Sequence, residues 1–290
     1  MKAKINRVVL LCLAGLLTAV QSPAKQEEVF KKFAGTYVTG HEFGRDSLTL
    51  EADGRFSEGS GSDDGTQVST SGTYNLSNGR LHFIIAKQTW KRGSEGREFN
   101  LLDPKERKEI PGGEGDGEIQ REFEMLPVEW SGRIYLLYEE DLKDFANAVN
   151  LGIEPRATLI SYSYMSPWYG SFYLRSGDEQ KKVTGNPPLS KQWLSFLLSK
   201  SVTATVISIE ETKKYEFSTT FTATINKGTR DGLKVGMRLL TKDEEPSRWG
   251  GTQVISVEEK TAKIRTELVR SELKVGDKIN SRYEPKIPYR

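Results

Sequence analysis

Apolar and polar residues alternate with a period of two along most of this 290-residue chain, the mark of half-buried strands. Phe221, Ala223 and Ile225 interleave with Thr220, Thr222, Thr224 and Asn226. Lys227-Gly228 and Asp231-Gly232 then supply two positions expected to take positive φ. Leu233, Val235, Met237 and Leu239 resume the alternation, with Lys234 and Arg238 on the wet face. Gly236 inside that strand predicts a bulge or sharp bend, by which a short sheet curls into a barrel. Strands are predicted over 252–257 and 261–266, and Leu273-Lys274-Val275-Gly276-Asp277-Lys278-Ile279 repeats the phrase that begins at Leu233.

The first half alternates in the same way. A short amphipathic lead-in over 29–33 precedes a strand opening at Gly35-Thr36-Tyr37. Ser47-Leu48-Thr49-Leu50-Glu51 and Arg55-Phe56-Ser57 flank the hairpin turn Ala52-Asp53-Gly54. Ser71-Gly72-Thr73-Tyr74-Asn75-Leu76 and Arg80-Leu81-His82-Phe83-Ile84 flank Ser77-Asn78-Gly79. Residues 91–122 are polar, charged and glycine-bearing, and read as an exposed loop of low order. Strands over 123–130 and 134–138 follow around Ser131-Gly132, and another runs up to Arg175.

The period changes over 139–151, which predicts a helix. Acids crowd its first turn, Gly152 can take the left-handed stop, and Leu142, Phe145, Ala146 and Val149 share a face. A second helix is expected over 190–200, with Trp193, Phe196, Leu197 and Leu198 free to seal a sheet or brace a barrel, and 176–189 reads as the joint. The expected fold is mainly β with a few short helices. An N-terminal antiparallel meander or curved sheet (25–185) is followed by a linking helix (186–200) and a small C-terminal β-barrel (201–290).

The doubled L-K-V-G phrase and the N-x-G-x-x-D-G-L before it resemble small β-barrel modules of bacterial cell-envelope proteins, of the rod-shape-determining or flagellar assembly type. The Gly-Thr-Tyr strands with Asp-Gly and Asn-Gly turns resemble a lipocalin-like meander. Arg133-Ile134-Tyr135-Leu136-Leu137, Phe145-Ala146-Asn147-Ala148-Val149-Asn150 and Phe172-Tyr173-Leu174-Arg175 together resemble a set of uncharacterised secreted bacterial proteins. These resemblances imply two β bodies in an exported protein and no particular activity.

The N-terminus agrees with export. Lys2, Lys4 and Arg7 precede an apolar run over 8–20 and the small-residue exit Ser22-Pro23-Ala24, so 1–24 reads as a signal peptide. That run is shorter than the roughly 20 residues a spanning helix needs. Contact with a membrane is expected only through an uncleaved signal. The location that follows is periplasmic or extracellular. Cys12, the only cysteine, lies inside this segment, which leaves the mature chain without a disulfide or a thiolate metal site.

Charge excludes a nucleic-acid role. Residues 201–290 hold 17 Lys/Arg against 13 Asp/Glu, residues 25–200 carry an acidic excess of five, and no basic run occurs.

Catalytic signatures are absent from the sequence: no Gly-x-Ser-x-Gly and no phosphate-binding loop are present. The two histidines, His41 in a loop and His82 facing solvent, are not expected to converge. Asp63-Asp64 and Glu114, Asp116 and Glu118 match no known calcium-loop spacing and read as solvated loops. No cofactor is expected. The densest aromatic group, Tyr162, Tyr164, Trp168 and Tyr169, is the candidate ligand or partner surface. The leading expectation is a non-enzymatic exported binding or interaction module whose partner is an envelope protein. The alternative is a lipocalin-like carrier of a small apolar ligand, and the third is a hydrolase that uses carboxylates alone.

Overall fold

The structure, a computed structural model, describes residues 23–41, 44–62, 65–93, 96–110, 119–153, 172–241, 252–268 and 272–283. The protein is mainly β and consists of two closed antiparallel barrels.

The first barrel uses β1 (Gly35–His41), β2 (Gly44–Leu50), β3 (Arg55–Ser62), β4 (Thr66–Ser77), β5 (Arg80–Arg92), β7 (Glu122–Trp130), β8 (Arg133–Leu137) and β9 (Tyr173–Arg175). Its strands run in the order β4-β3-β2-β1-β9-β8-β7-β5, and pairing of β4 with β5 closes the circle. A further short strand, β6 (Glu98–Asn100), takes the edge of β5 at Thr89–Lys91, beyond the stretch that β7 occupies. Asn78-Gly79 and Ser131-Gly132 form the expected tight hairpins, with positive φ at both central residues.

Inward positions follow the pleat. Tyr37, Leu48, Leu50, Phe56, Tyr74, Leu81, Phe83, Phe123, Met125, Ile134, Leu136 and Tyr173 form one buried cluster inside the barrel. The rings of Phe83 and Phe123 stack at 4.4 Å, and Phe56 meets both edge-on. Helix α1 (Pro23–Phe33) packs Phe30 on Tyr74 and accepts the Tyr37 hydroxyl at the Phe33 carbonyl, 2.8 Å, which seals this part of the interior.

Within the stretch 91–122, residues 96–110 are more ordered than their polarity suggests. They hold β6 and α2 (Pro104–Lys108), and Phe99 and Ile110 bury themselves against Trp90. Two apolar residues among many charges suffice because Trp90 offers them a partner, while 111–118 lies outside the described residues.

The expected helix is α3 (Leu142–Asn150), led in by a 3₁₀ turn over Glu139–Asp141 and closed by Gly152 at φ 67°. It covers the outer face of β7, β8 and β9, with Phe145 edge-on to Tyr135 and Phe172. All five residues of β8 are therefore buried, which is why Ile134 to Leu137 does not alternate. Helix α4 (Lys191–Phe196) is shorter than expected; the chain is already extended at Leu197.

The second barrel contains β10 (Thr203–Lys214), β11 (Thr219–Ile225), β12 (Arg238–Thr241), β13 (Thr252–Val257), β14 (Ala262–Leu268) and β15 (Lys278–Asn280), in the closed order β10-β11-β14-β13-β12-β15. This order maps onto itself when β10-β11-β12 is exchanged with β13-β14-β15, so the barrel has an internal pseudo-twofold topology. The doubled phrase is its signature. Gly236 donates to Val254 O and Val254 donates to Met237 O; Gly276 donates to Val206 O and Val206 donates to Asp277 O.

In both copies the phrase is a turn and not a strand interior. Met237 N bonds Lys234 O, Asp277 N bonds Lys274 O, and Gly236 and Gly276 have φ of 87° and 98°. The predicted strand over 233–239 thus starts only at Arg238, and Val235, expected inside, is 56% exposed. Gly228 is also not a positive-φ residue, since its φ is −146°. It is glycine because a Cβ there would sit 2.3 Å from Glu258 O.

One apolar cluster runs from the outer face of β7–β9 through α3 into the second barrel. The Asn150 amide donates to Phe196 O at 3.2 Å and accepts from Leu198 N at 2.7 Å, and Tyr283 N bonds Leu151 O. The joint 176–189 is tied down as well. Trp130 Nε1 bonds Thr184 O, and buried Asp178 accepts from Ile134 N, Arg175 and Lys181.

Candidate functional site

Two residues further along the inward rows from Leu48 and Phe56, the barrel lining turns from apolar to polar. On β2 the row reads Leu50, Leu48, Asp46, and on β3 it reads Phe56, Glu58, Ser60. Strand register aligns these positions into two rings. Thr39, Asp46, Ser60 and Val68 are successive cross-strand partners, and so are Tyr37, Leu48, Glu58, Thr70 and Gln88. Asp46 and Glu58 are consequently diagonal neighbours on one face.

Between these rings lies a cavity of about 320 Å³, lined by Thr39, Asp46, Glu58, Ser60, Val68, Thr70, Gln88, Tyr138 and Tyr173. Thr39, Thr70 and Tyr173 are buried, whereas the two carboxyls, Ser60, Gln88 and Tyr138 are half-buried and form the wetter part of the wall. Tyr173 Oη donates to Glu58 Oε1 at 2.9 Å, and Gln88 Nε2 donates to Thr70 Oγ1 at 3.3 Å.

Burial pushes the Glu58 carboxyl above the ordinary glutamate range; the Tyr173 hydrogen bond opposes this and the nearby Asp46 charge adds to it. Burial also drives the Tyr138 and Tyr173 phenols well above their usual value, with Glu58 the next cause for each. Both tyrosines therefore stay neutral and offer hydroxyls for hydrogen bonding. No lysine, arginine or histidine stands among the described lining residues, and Glu58 has no ion pair among the described residues. The wall can accept hydrogen bonds and positive charge from a small molecule.

The aromatic candidates Tyr162, Tyr164, Trp168 and Tyr169 lie outside the described residues, as do Asp63-Asp64 and 114–118. Tyr173, just beyond that group, reaches the cavity, as Tyr138 does. His82 stands on the outer face, 3.3 Å from Glu122, and does not line the cavity. Among the described residues no group of three or more His, Cys, Asp or Glu is set to hold a metal ion. No described helix is long and apolar enough to cross a membrane.

The carboxyls went unread because an alternation argument assigns polar residues outward. The usable signal was parity: Asp46 and Glu58 each stand two positions from a residue that must face inward.

No family model, no curated protein and no solved structure matches the chain.

Proposed function

We propose that the protein is a non-enzymatic, exported binding protein whose first barrel takes up a small protonated amine. The observation that supports this most is the Glu58 carboxyl, held by one tyrosine hydroxyl beside a second carboxyl in a cavity with no basic residue among its described walls. A bound ammonium would relieve both the desolvation of Glu58 and its repulsion by Asp46, and Tyr138 and Tyr173 would offer ring faces and hydroxyls to the same group. The cavity volume suits a ligand of about ten heavy atoms, at the small end of known ligand pockets. The polar wall favours such a ligand over the apolar one that a lipocalin-like barrel suggests. Export rests on the N-terminal pattern of 1–24, and an envelope partner rests on the resemblance of the second barrel to envelope modules.

Calorimetric titration of the full chain with tyramine tests the reading, with 4-ethylphenol as the analogue that lacks the ammonium. Saturable binding of tyramine, absent for 4-ethylphenol and weakened at least about tenfold in Glu58→Gln, is expected, since a charge-assisted hydrogen bond is worth about 1.5–3 kcal/mol. Equal binding of both compounds, or tyramine binding unchanged in Glu58→Gln, would overturn it.

A further inference from the structure

A second cavity, of about 260 Å³, opens where the two barrels meet. Trp130 and Val149 of the first body and Leu197 and Leu198 of the connecting segment supply its apolar walls, and Arg282 enters from the second. Lys200 stands beside them, and no acid occurs among the described lining residues. Its chemistry is therefore opposite to that of the cavity inside the first barrel.

The walls are preorganised. Asn150 fixes the chain at both Phe196 and Leu198 through its amide, and Trp130 is held by its bond to the Thr184 carbonyl. The Arg282 side chain lies over Gly152, where a Cβ would be in ordinary van der Waals contact with it, 3.4 Å from Nε. Arg282 has neither an ion pair nor a hydrogen bond among the described residues. The acid that senses Lys200 is Asp231, and that carboxylate is already engaged by Lys227 at 2.9 Å. Two cations thus border a pocket whose walls combine Trp130 and aliphatic side chains with the polar Asn186, Ser199 and Ser201, and no carboxylate stands among its described lining residues.

We propose that this junction is a second binding site, for a small organic anion whose charged group meets Arg282 and Lys200 while its apolar body rests on Trp130 and Leu198. Guanidinium recognises the fork of a carboxylate or phosphate, and clefts between domains are a preferred place for such ligands. Both bodies contribute walls, so an occupant would bridge them.

The test is calorimetry on the full chain with phenyl phosphate, with inorganic phosphate and phenol as its two halves. Phenyl phosphate is expected to bind saturably, at least about tenfold more tightly than either half, because charge and floor act together. Arg282→Ala with Lys200→Ala, both exposed positions, is expected to lower that affinity at least about tenfold and to leave the melting temperature unchanged. Glu58→Gln is expected to leave it intact, which separates this site from the first. Absence of saturable binding, or full affinity in the double variant, would overturn the proposal.

Discussion

Asn147 of α3 holds the backbone of Arg238 across the junction of the barrels. Its Oδ1 accepts from Arg238 N at 2.9 Å, while its Nδ2 donates to Gly236 O at 3.3 Å. The side chain is 1% exposed, so it acts as a peptide-like clip between a helix that belongs to one barrel and a turn that belongs to the other. Truncation would leave a donor and an acceptor without partners in a dry interface. Asn147→Ala is expected to lower stability by about 2–6 kcal/mol, at the rate of roughly 1–3 kcal/mol for each of the two buried groups left unsatisfied. Urea unfolding followed by far-ultraviolet circular dichroism reads this as a lower midpoint. A shift within experimental scatter would mean that the clip contributes nothing.

Two glycines that look alike in sequence differ in cost. At Gly276 a side chain meets nothing within 4 Å, so Gly276→Ala suffers only from φ 98° and is expected to cost about 1–2 kcal/mol. At Gly228 the backbone is extended, but a methyl group would fall 2.3 Å from Glu258 O and 2.7 Å from Thr261 N. Both obstacles are backbone and neither can rotate away. Gly228→Ala is expected to cost about 3 kcal/mol or more, in the range of overpacked cores and broken ladders. Thermal melts of the two variants under one condition decide the order; a Gly276→Ala that melts below Gly228→Ala would reverse the assignment.

What could be read in advance was local. The turns at Asn78-Gly79 and Ser131-Gly132, the helix ending at Gly152 and the inward set Phe221, Ala223 and Ile225 all rest on neighbours in sequence. Closure of the barrels depends on β1 meeting β9 in the first and β10 meeting β15 in the second, and periodicity says nothing of such distant partners. The Leu233 phrase misled because the turn Lys234-Val235-Gly236-Met237 happens to keep apolar residues at alternate positions. Asn147 and Ala148 were missed because α3 buries two faces, one against each barrel, and a single-face helical pattern predicts only one.

Asp178 is the counterpart of Asn147 within the first body. It is 3% exposed, and burial alone would raise its carboxyl, but hydrogen bonds from Lys181, the Ile134 N–H and Arg175 outweigh that and hold it below the usual aspartate range. A depressed folded-state value stabilises the fold above the unfolded pKa, and this contribution is lost as pH falls through the folded one. With an unfolded aspartate near 3.9, the loss is expected below about pH 4. Asp178→Asn is expected to cost about 2–4 kcal/mol at pH 7, because it leaves Arg175 and Lys181 facing a neutral amide. The difference from the parent protein should shrink as pH drops below 4. A difference that stays constant between pH 3 and pH 7 would show that the charge is not what matters.

Glu58 carries the opposite sign. Its folded-state carboxyl lies above the ordinary value because burial disfavours the ionised form and Asp46 repels it. The folded state therefore binds the proton more tightly than the unfolded chain. The stabilisation this provides is complete below the unfolded pKa, about 4.3, and disappears as pH rises through the folded value. At neutral pH the ionised Glu58 is a cost to stability, which the proposed ligand would offset. Glu58→Gln keeps the shape and can still accept the Tyr173 hydroxyl, so it is expected to be at least as stable as the parent protein at pH 7 and no more stable at pH 4. Adding tyramine at pH 7 should stabilise the parent more than the variant and so shift the order toward the parent, since a ligand that binds only the folded state at about 100 times its Kd contributes about 2.7 kcal/mol and a tenfold weaker one correspondingly less. Melting temperatures of both proteins at pH 4 and pH 7, with and without tyramine, measure every one of these differences. A Glu58→Gln protein that is markedly less stable at pH 7 than at pH 4, relative to its parent, would assign Glu58 to holding the barrel together and not to receiving a ligand.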